Sequence, residues 1–560
     1  SFLRNDLLRK LNTVEISNQD FALTDFQFRL WEELPKNNVT AISAPTSAGK
    51  SFVVLEHLYR SILSADTINA VFIAPTRALL AEVYGKMSAR LEKEESHIRI
   101  STIPTIDSDA TRKQLFILTQ ERLQTLLSVW DGAFDLVITD EAQAIGDGSR
   151  GMILQDCLET VKSRNDKAKF LFLAPGAVGF ENFNDILDVA TIKVEDTQLT
   201  PVVQNRIIVK SSSNNENALE LSLLAENKSI FLGKRESERG FANTKTRLAA
   251  VALDLGSDGG SLVYGTGAAD AEKKAGQIAS DIDKEKENLK ELSDFIKKHV
   301  HKRYSLASYV MKGVGFHYGK MPSLLREAIE ESFKSKDLDF LVCTTTLFQG
   351  VNLPARNVFI DTPTRGRGDA LDPASLWNFA GRAGRLGLDI VGNVFLVDYD
   401  EWEEKPLTER ESFSISPSFK KVLIDDYDDV IEKLSGEKSE ENPFQNYTPS
   451  DAASGFLISK LVKGRLKVYI NKNVKGSLSE SQCQEIIQKT IDAKDELQLP
   501  EDALLNNWTV NPFGQARLLA RFREVIATGD FLGLIPQNPT ENVYSNYVAV
   551  FSRINKYILL

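Results

Sequence analysis

Eight residues near the amino end of the chain, APTSAGKS at positions 44–51, combine small residues with a lysine and a hydroxyl. They follow the apolar run VTAIS and precede a helical pattern, so a tight turn joins a strand to a helix start. Backbone N–H groups in such a turn and the positive end of the helix favour an anion. Lys50 would reach the β- and γ-phosphates of a nucleotide, and the Ser51 hydroxyl would bind Mg²⁺. The stretch predicts a phosphate cradle, with an ordinary glycine-containing turn as the alternative. The rest of the cradle would be Thr46, Ser47, Ala48 and Gly49.

Two adjacent carboxylates follow another apolar run, in FDLVITDEAQ at positions 134–143. Asp140 stands where a buried strand would end, and beside a phosphate cradle it would complete the Mg²⁺ shell. Its neighbour Glu141 would position and deprotonate an attacking water. The alternative is a surface acidic pair that caps the next helix. Together with the cradle, the pair favours hydrolysis of a bound nucleotide.

Two arginines occur in NFAGRAGRLG at positions 378–387. Arg382 and Arg385 are three residues apart, which predicts that they share one helical face, and small neighbours would allow a close approach. Guanidinium groups presented across a cleft suit the charge on a transferring phosphoryl group. A basic helix face that meets solvent or an acidic neighbour is the alternative.

Short apolar runs alternate with helical patterns between these motifs, and their continuous character is typical of strands covered on both faces. The alternation predicts an α/β fold with parallel sheets and right-handed crossovers. The runs are VTAIS (39–43), AVFIA (70–74), LFILT (115–119), DLVIT (135–139), FLFLA (170–174), SIFLG (229–233), SLVYG (261–265), VGFHY (314–318), FLVCT (340–344), NVFI (357–360) and GNVFLV (392–397).

The polar stretch SSSNNENA (211–218) has the composition of a linker, which predicts two α/β domains. After about residue 400 the pattern changes to helices and loops. We therefore predict domains at 1–205, 206–400 and 401–560, the last mainly helical. In it, GQARLLARFREVIA (514–527) would be an amphipathic helix whose arginines either line a nucleic-acid channel or meet solvent.

Composition narrows the class of protein. The 560 residues carry a formal net charge of −11, so nucleic-acid binding cannot rest on overall charge and needs a local groove. No apolar run approaches the roughly 20 residues of a membrane helix, so we expect no membrane partner. The three cysteines, Cys157, Cys343 and Cys483, are too far apart for a disulfide framework or a zinc module. They fit a reducing, cytoplasmic compartment.

The motifs and their order resemble superfamily 2 helicases, specifically the DExH-type superkiller-like branch, over roughly the first 400 residues. The resemblance implies two tandem RecA-like domains, parallel sheets with helices on both faces, that close on ATP and Mg²⁺. The matching stretches are LTDFQFRLW (23–31, the glutamine box), APTSAGKS (motif I), APTRALLAE (74–82, motif Ia), LTQERL (118–123), DEAQ (140–143, motif II), FHYGKMP (316–322), TTTLFQGVNLPAR (344–356, motif V) and NFAGRAGR (378–385, motif VI).

The resemblance also implies residue roles. Gln27 would recognise adenine, Gly350 and Asn352 would couple the nucleotide to the nucleic-acid strand, and Gln143 would link the hydrolysis site to the two arginines. The catalytic residues would be Lys50, Asp140, Glu141, Gln143, Arg382 and Arg385. The contacts with strand phosphates would come from Thr76, Arg77, Thr119, Arg122, Thr344 and Thr345.

The sequence departs from the family's pattern at a few places. Gln143 stands where His is common, and Asn378 where Gln is usual, although an amide can still bridge at both positions. APGA (174–177) replaces the frequent Ser-Ala-Thr, which puts the coupling of hydrolysis to strand separation in doubt. TPTRGRGDALDP (362–373) is a short segment at the place where the branch has a strand-splitting hairpin. The sequence therefore supports the prediction of translocation more strongly than the prediction of unwinding.

These observations predict an ATP-dependent helicase or translocase that tracks along one strand, with DNA favoured over RNA and 3′ to 5′ as the family's usual direction. One alternative is a remodeller that moves on duplex without separating it. Others are an RNA helicase and an ATP-gated sensor subunit that binds nucleic acid and controls a partner effector such as a nuclease. The resemblance extends to bacterial and archaeal DNA-processing helicases and to antiphage-defence helicase subunits, and no motif separates these.

Overall fold

Strands alternate with helices along the chain, and each predicted apolar run lies on a strand. The computed structural model describes residues 10–16, 19–45, 48–91, 98–106, 112–197, 202–212, 215–225, 228–237, 239–256, 259–345, 353, 355–362, 364–365, 368–371, 373–384, 389, 391–403, 405, 407, 413–436, 448–474, 476–527 and 543–558. The strands are β1 (Thr13–Ile16), β2 (Gln19–Ala22), β3 (Val39–Ser43), β4 (Ile68–Ile73), β5 (Ile98–Ser101), β6 (Lys113–Leu118), β7 (Leu136–Thr139), β8 (Lys169–Ala174), β9 (Ala177–Val178), β10 (Lys193–Asp196), β11 (Val203–Ser212), β12 (Asn215–Ala225), β13 (Lys228–Glu236), β14 (Ser261–Tyr264), β15 (Val314–His317), β16 (Phe340–Cys343), β17 (Asn357–Ile360), β18 (Thr364–Arg365), β19 (Asp369–Ala370), β20 (Val391–Val397) and β21 (Phe413–Ser414).

The helices cover the sheets and form the last part of the chain. They are α1 (Asp25–Glu33), α2 (Lys50–Ser64), α3 (Arg77–Leu91), α4 (Gln120–Val129), α5 (Gly148–Arg164), α6 (Asn182–Leu187), α7 (Arg247–Leu255), α8 (Ala268–Ser280), α9 (Lys290–His299), α10 (Leu306–Met311), α11 (Ser323–Lys334), α12 (Pro373–Ala380), α13 (Ser418–Asp425), α14 (Tyr427–Leu434), α15 (Pro449–Val462), α16 (Leu466–Asn473), α17 (Glu480–Leu497), α18 (Glu501–Asn506), α19 (Pro512–Ala527) and α20 (Val543–Ile558).

The first sheet has seven parallel strands in the order β10-β3-β8-β7-β4-β6-β5. Its central strands are apolar and buried, since helices cover both faces. Because all strands run the same way, their carboxyl ends meet at one edge of the sheet. The segments after β3, β4, β6, β7 and β8 therefore lie side by side, and each carries one of the motifs found in the sequence.

The second sheet has eight strands in the order β13-β12-β11-β20-β17-β14-β16-β15, of which the last six are parallel. Two sheets of this kind followed by helices confirm the predicted fold class of tandem RecA-like domains with a helical region. The linker prediction for 211–218 was wrong, because residues there belong to the antiparallel pair β11 and β12. The domain bounds remain a prediction.

Strand β13 departs from the expectation that the apolar runs are covered on both faces. Its residues Ile230, Phe231 and Leu232 are exposed, because β13 is the edge strand of an antiparallel hairpin. Apolarity alone does not distinguish a buried strand from an exposed edge strand, which is why the run SIFLG misled the sequence interpretation.

The helices after the second sheet return to the first sheet. One apolar core joins Phe170 and Phe172 of β8 to Phe419 of α13, Phe456 of α15 and Trp508, which lies between α18 and α19. Helix α15 is buried on all sides from Ser450 to Lys460 and lies in the middle of this core, as expected for a helix without a solvent face. Within the described residues, no helix combines the length and apolarity that crossing a bilayer would need.

Candidate nucleotide site and nucleic-acid face

The phosphate cradle lies between β3 and α2, as the sequence predicts. Gly49 precedes α2 in the left-handed region, with φ 75°, where a side chain would be strained. Lys50 is 3% exposed, and its Nζ donates to the Ala44 carbonyl at 3.3 Å, the other end of the turn. Ser51 is exposed in the first turn of α2. Thr46 and Ser47 lie outside the described residues.

Gln27 connects the glutamine box to this cradle. Its Nε2 donates to the Ala48 carbonyl at 3.3 Å, and its Oε1 accepts the Thr24 N–H at 3.0 Å. The Thr24 hydroxyl accepts the Gln27 N–H in return, which completes a capping box at the start of α1. Gln27 thus fixes the helix and the cradle relative to each other, and adenine recognition by this residue stays a prediction.

Asp140 and Glu141 follow β7, two strands from the cradle in the sheet order. Burial and the neighbouring Glu141 raise the pKa of Asp140 to about 6, and the ammonium of Lys50 acts against this rise. A buried carboxylate near the Lys50 ammonium, together with the exposed hydroxyl of the next residue, Ser51, supplies hard oxygen ligands of the kind that Mg²⁺ takes. The residues present therefore fit the ion that the motif implies.

Glu141 is held in an unusual backbone conformation, with φ 51° and ψ 49°. Its Oε2 accepts a hydrogen bond from Nε2 of Gln143, while Oε1 of Gln143 is buried without a hydrogen-bond partner. The amide at position 143 therefore orients the side chain that would act on water, and it keeps one acceptor available for a further donor. Strained backbone of this kind is found at functional sites.

Arg382 is buried, with 6% of its surface exposed, and lies past the end of α12. The predicted helical face is therefore wrong: α12 ends at Ala380, and Gly384 turns the chain with φ 96° toward the Ala355 bridge. Burial lowers the pKa of Arg382, and the charges of Glu141 and Glu82 from the first sheet act in the opposite direction. Arg385, Gly350 and Asn352 lie outside the described residues.

The predicted phosphate contacts of the first sheet lie at its carboxyl edge. Thr76 and Thr119 follow β4 and β6, and each hydroxyl accepts a backbone N–H at a helix start, from Leu79 at 3.3 Å and from Arg122 at 3.4 Å. The Arg122 guanidinium donates to the Thr102 carbonyl at 2.6 Å. Arg77 begins α3 beside Thr76. The role of these residues in strand binding stays a prediction.

In the second sheet, Thr344 and Thr345 follow β16 at the same kind of edge. The Thr344 N–H donates to the carbonyl of His317 at 3.2 Å. His317 itself is buried, and its Nε2 lies 3.0 Å from Oε1 of Glu330. The sequence interpretation placed His317 in a motif but missed Glu330, which is one helical residue among several acidic ones.

The APGA segment is bonded on two sides, which sequence reasoning missed. The Ser43 hydroxyl, at the end of β3, donates to the Ala177 carbonyl at 2.7 Å. On the other side β9 pairs with β21, and the Ile415 N–H donates to the Val178 carbonyl at 2.8 Å. The segment therefore lies between the cradle strand and the start of the carboxyl-terminal helices. A polar residue ending a buried strand, as Ser43 does, was the available signal.

Comparison with known proteins agrees with this arrangement. Residues 24–174 match the DEAD/DEAH box helicase model, and residues 288–387 match the model of the helicase conserved C-terminal domain. The two matched ranges fall on the two RecA-like sheets and the helices around them, so these parts of the chain are similar to helicase domains.

Several curated proteins are similar to the chain. It is 26% identical over 389 residues to the ATP-dependent DNA helicase Hel308 of Thermoplasma volcanium, covering 67% of this chain and 52% of that protein. It is 27% identical over 409 residues to DNA polymerase theta of Caenorhabditis elegans, covering 67% of this chain and 24% of that protein. The human helicase POLQ-like protein is 23% identical over 501 residues, covering 85% of this chain and 44% of that protein. The chain thus spans about half the length, or less, of these relatives.

Proposed function

We propose that the chain is an ATP-dependent DNA helicase or translocase that moves along one strand. The observation that carries the proposal is that Arg382, a buried arginine of the second half, interacts electrostatically with Glu141, which follows β7 in the first half. A nucleotide bound on the cradle would therefore touch both halves, and its hydrolysis would change how they fit together.

The residues supply the chemistry as follows. Lys50, Ser51 and the backbone of the cradle would hold the phosphates, and Asp140 with Ser51 would hold Mg²⁺, which supplies charge neutralisation when bound. Glu141, oriented by Gln143, would accept a proton from the attacking water. Arg382 would stabilise charge on the transferring group, and its burial strengthens that effect because water is excluded.

DNA is favoured as the polymer because the similar proteins are named as a DNA helicase and a DNA polymerase. We further propose the superkiller-like branch, movement from 3′ to 5′ and a cytoplasmic location. The short hairpin of β18 and β19, at the position where the branch places a strand-splitting element, supports strand separation. If the chain does not move on DNA, the alternative is an ATP-gated sensor subunit that binds nucleic acid and controls a partner effector such as a nuclease.

ATP turnover measured with single-stranded DNA, with duplex DNA carrying a 3′ tail and with single-stranded RNA tests the proposal. Glu141→Gln serves as the blank. Strong stimulation by DNA, together with displacement of a labelled strand, is the expected result. Turnover that is high without any polymer, or absent with all of them, would contradict a motor and point to a switch that needs its partner.

A further inference from the structure

Arg150 is a residue that neither the motifs nor the nucleotide site uses. It lies in the first turn of α5, the helix that begins just after the 3₁₀ turn Ala142–Gly146 of motif II. Its side chain is 46% exposed and makes two specific contacts. Nε lies 2.8 Å from Oε1 of Glu121, and Nη2 donates to the Pro75 carbonyl at 2.9 Å.

The two partners of Arg150 belong to two segments of the proposed nucleic-acid face, which we call the two loops: the loop after β4, and the junction of β6 with α4, whose first turn contains Glu121. Pro75 directly precedes Thr76 and Arg77, and Glu121 lies two residues after Thr119. These loops follow β4 and β6, which are neighbours in the first sheet. One guanidinium therefore joins the two loops whose threonine and arginine side chains would contact successive phosphates.

The chemistry of the pair favours a fixed geometry. A guanidinium is planar and can donate to a carbonyl and a carboxylate at once in fixed directions, which a lysine cannot reproduce. Burial raises the pKa of Glu121, but the hydrogen bonds from Arg150, from the Glu121 backbone N–H and from Thr119, with the charge of Arg150, together outweigh burial, so the pKa is lowered. Glu121 thus stays ionised near neutral pH and holds the guanidinium between the loops.

Helix α5 is itself well anchored. It is buried from Gly151 to Leu158, and the Cys157 thiol lies 3.6 Å from the Gln120 carbonyl at the start of α4. Any displacement of motif II at the amino end of α5 would therefore move Arg150, and with it the spacing of the two loops.

We propose that Arg150 is a positioning residue that sets the spacing of the two phosphate-binding loops and links it to motif II. The inference rests on the proposed function, because it assumes that these loops contact a strand. It predicts that removal of the guanidinium weakens the response of the ATPase to DNA more than it slows turnover once DNA is saturating.

Arg164 provides a matched control on the same helix. It lies at the other end of α5, and its guanidinium donates to the Leu127 carbonyl at 2.8 Å and also to the Trp130 carbonyl. Arg150→Ala and Arg164→Ala both remove an arginine that binds backbone carbonyls, but Arg164 is far from the strand-contacting loops along the helix. Any general loss of α5 stability should appear in both variants.

The experiment measures ATP turnover against the concentration of single-stranded DNA, and DNA affinity against salt, for the wild type, Arg150→Ala, Arg150→Lys and Arg164→Ala. In Arg150→Ala the DNA concentration for half-maximal turnover should rise about tenfold or more, because charged hydrogen bonds are lost. Arg150→Lys should recover part of this loss. Arg164→Ala should keep the wild-type value.

Five outcomes separate the possibilities. The positioning role is supported if Arg150→Ala raises the DNA concentration for half-maximal turnover but changes neither the turnover at saturating DNA nor the salt dependence of DNA affinity. Equal behaviour of the two alanine variants overturns it and leaves Arg150 a purely structural residue. If the slope of log DNA affinity against log salt concentration falls by about 0.7, the value for one lost phosphate contact on a single strand, the positioning role is overturned. Arg150 would then contact a DNA phosphate directly. A wild type that no DNA stimulates overturns both the proposed function and this inference, whereas a stimulated wild type with an unaffected Arg150→Ala overturns the inference alone.

Discussion

The first sheet has two interfaces of opposite character. Toward the carboxyl-terminal helices it shares a continuous apolar core, which we call the joint, with Phe170, Phe172, Phe419, Phe456 and Trp508. Toward the second sheet it presents charged and amide side chains around the nucleotide site, which we call the cleft. An apolar interface of this kind is costly to open, whereas a polar one exchanges its contacts for water and ligand. We therefore expect the joint to stay closed, whereas the cleft can open when a ligand binds or leaves.

The joint also contains buried charges. The Lys460 ammonium lies 2.8 Å from Asp156 and 2.7 Å from Glu159, both on α5, and 4.4 Å from the centre of the Phe456 ring. Lys463 lies 3.0 Å from Asp156, and the Trp508 indole N–H donates to the other oxygen of that carboxylate. Each buried charge has a partner, so the network specifies how the helices dock on the sheet.

Variants in the cleft should affect chemistry without loosening the fold, and the largest effect is expected at Lys50. Lys50→Ala should abolish ATP turnover, because the side chain that would reach the phosphates is lost, while the urea midpoint stays close to that of the wild type. Lys36→Ala, an exposed lysine of the first part of the chain, is the control and should keep its activity. If Lys50→Ala hydrolyses ATP at the wild-type rate, residues 44–51 are not the phosphate cradle.

Arg382 should give the next largest effect. Arg382→Ala should reduce kcat on the order of 10³, the contribution of an arginine that stabilises the transferring phosphoryl group. Single-turnover hydrolysis measures this directly, and Arg235→Ala, which removes an exposed arginine on β13, is the matched control. A reduction below about tenfold would assign the stabilising charge to another residue.

Variants in the joint should reverse this pattern. Lys460→Met leaves the Glu159 carboxylate without its cation and Asp156 with Lys463 alone, which should cost about 3–5 kcal/mol of unfolding free energy. Lys472→Met removes the exposed pair with Asp188 between the same two parts of the chain and should cost no more than about 1 kcal/mol. Urea unfolding of both variants measures the difference. Equal losses would mean that the buried network does not hold the joint.

The smallest effect is expected in the pH dependence of the stability that Asp156 contributes to the joint. Burial would raise the pKa of Asp156, but Lys460 and Lys463 outweigh it and hold the pKa well below its usual range. A carboxylate whose pKa is lower in the folded state stabilises that state above its unfolded pKa, near 3.9, and loses this contribution as pH falls below that value. The difference in unfolding free energy between the wild type and Asp156→Asn should therefore stay constant from about pH 5 to 7 and shrink toward pH 3. A difference that already shrinks between pH 7 and 5 would contradict the assignment.

Much of the fold could be predicted because the parallel strands are short, apolar and separated by helical patterns. The cradle and the carboxylates after β7 were predictable for the same reason, since each follows a buried strand at a fixed edge of the sheet. Strands β11 and β12 escaped prediction because their residues alternate with polar ones and include the polar run 211–218. The helical face of Arg382 was predicted wrongly because Gly381 and Gly384 end the helix in a way that spacing alone does not reveal.

The contacts across long sequence distances were the least predictable. Arg150 with Pro75, Ser43 with Ala177 and Lys460 with Asp156 join segments that are far apart in the chain or differ in pattern. A single sequence gives the residue types but not the pairs, because pairing depends on the docking of elements.

The return of the chain to the first sheet makes the second sheet an insertion with two covalent connections to one body. The chain enters it before β11 and leaves it after β20, and the Arg206 guanidinium of β11 donates to the Leu407 carbonyl in the segment after β20. A lobe with two neighbouring covalent connections has fewer ways to move relative to the first sheet than a lobe with one. Rotation about a single axis is therefore favoured over other motions. A motor with such a hinge would convert each closure into a stroke of nearly constant direction.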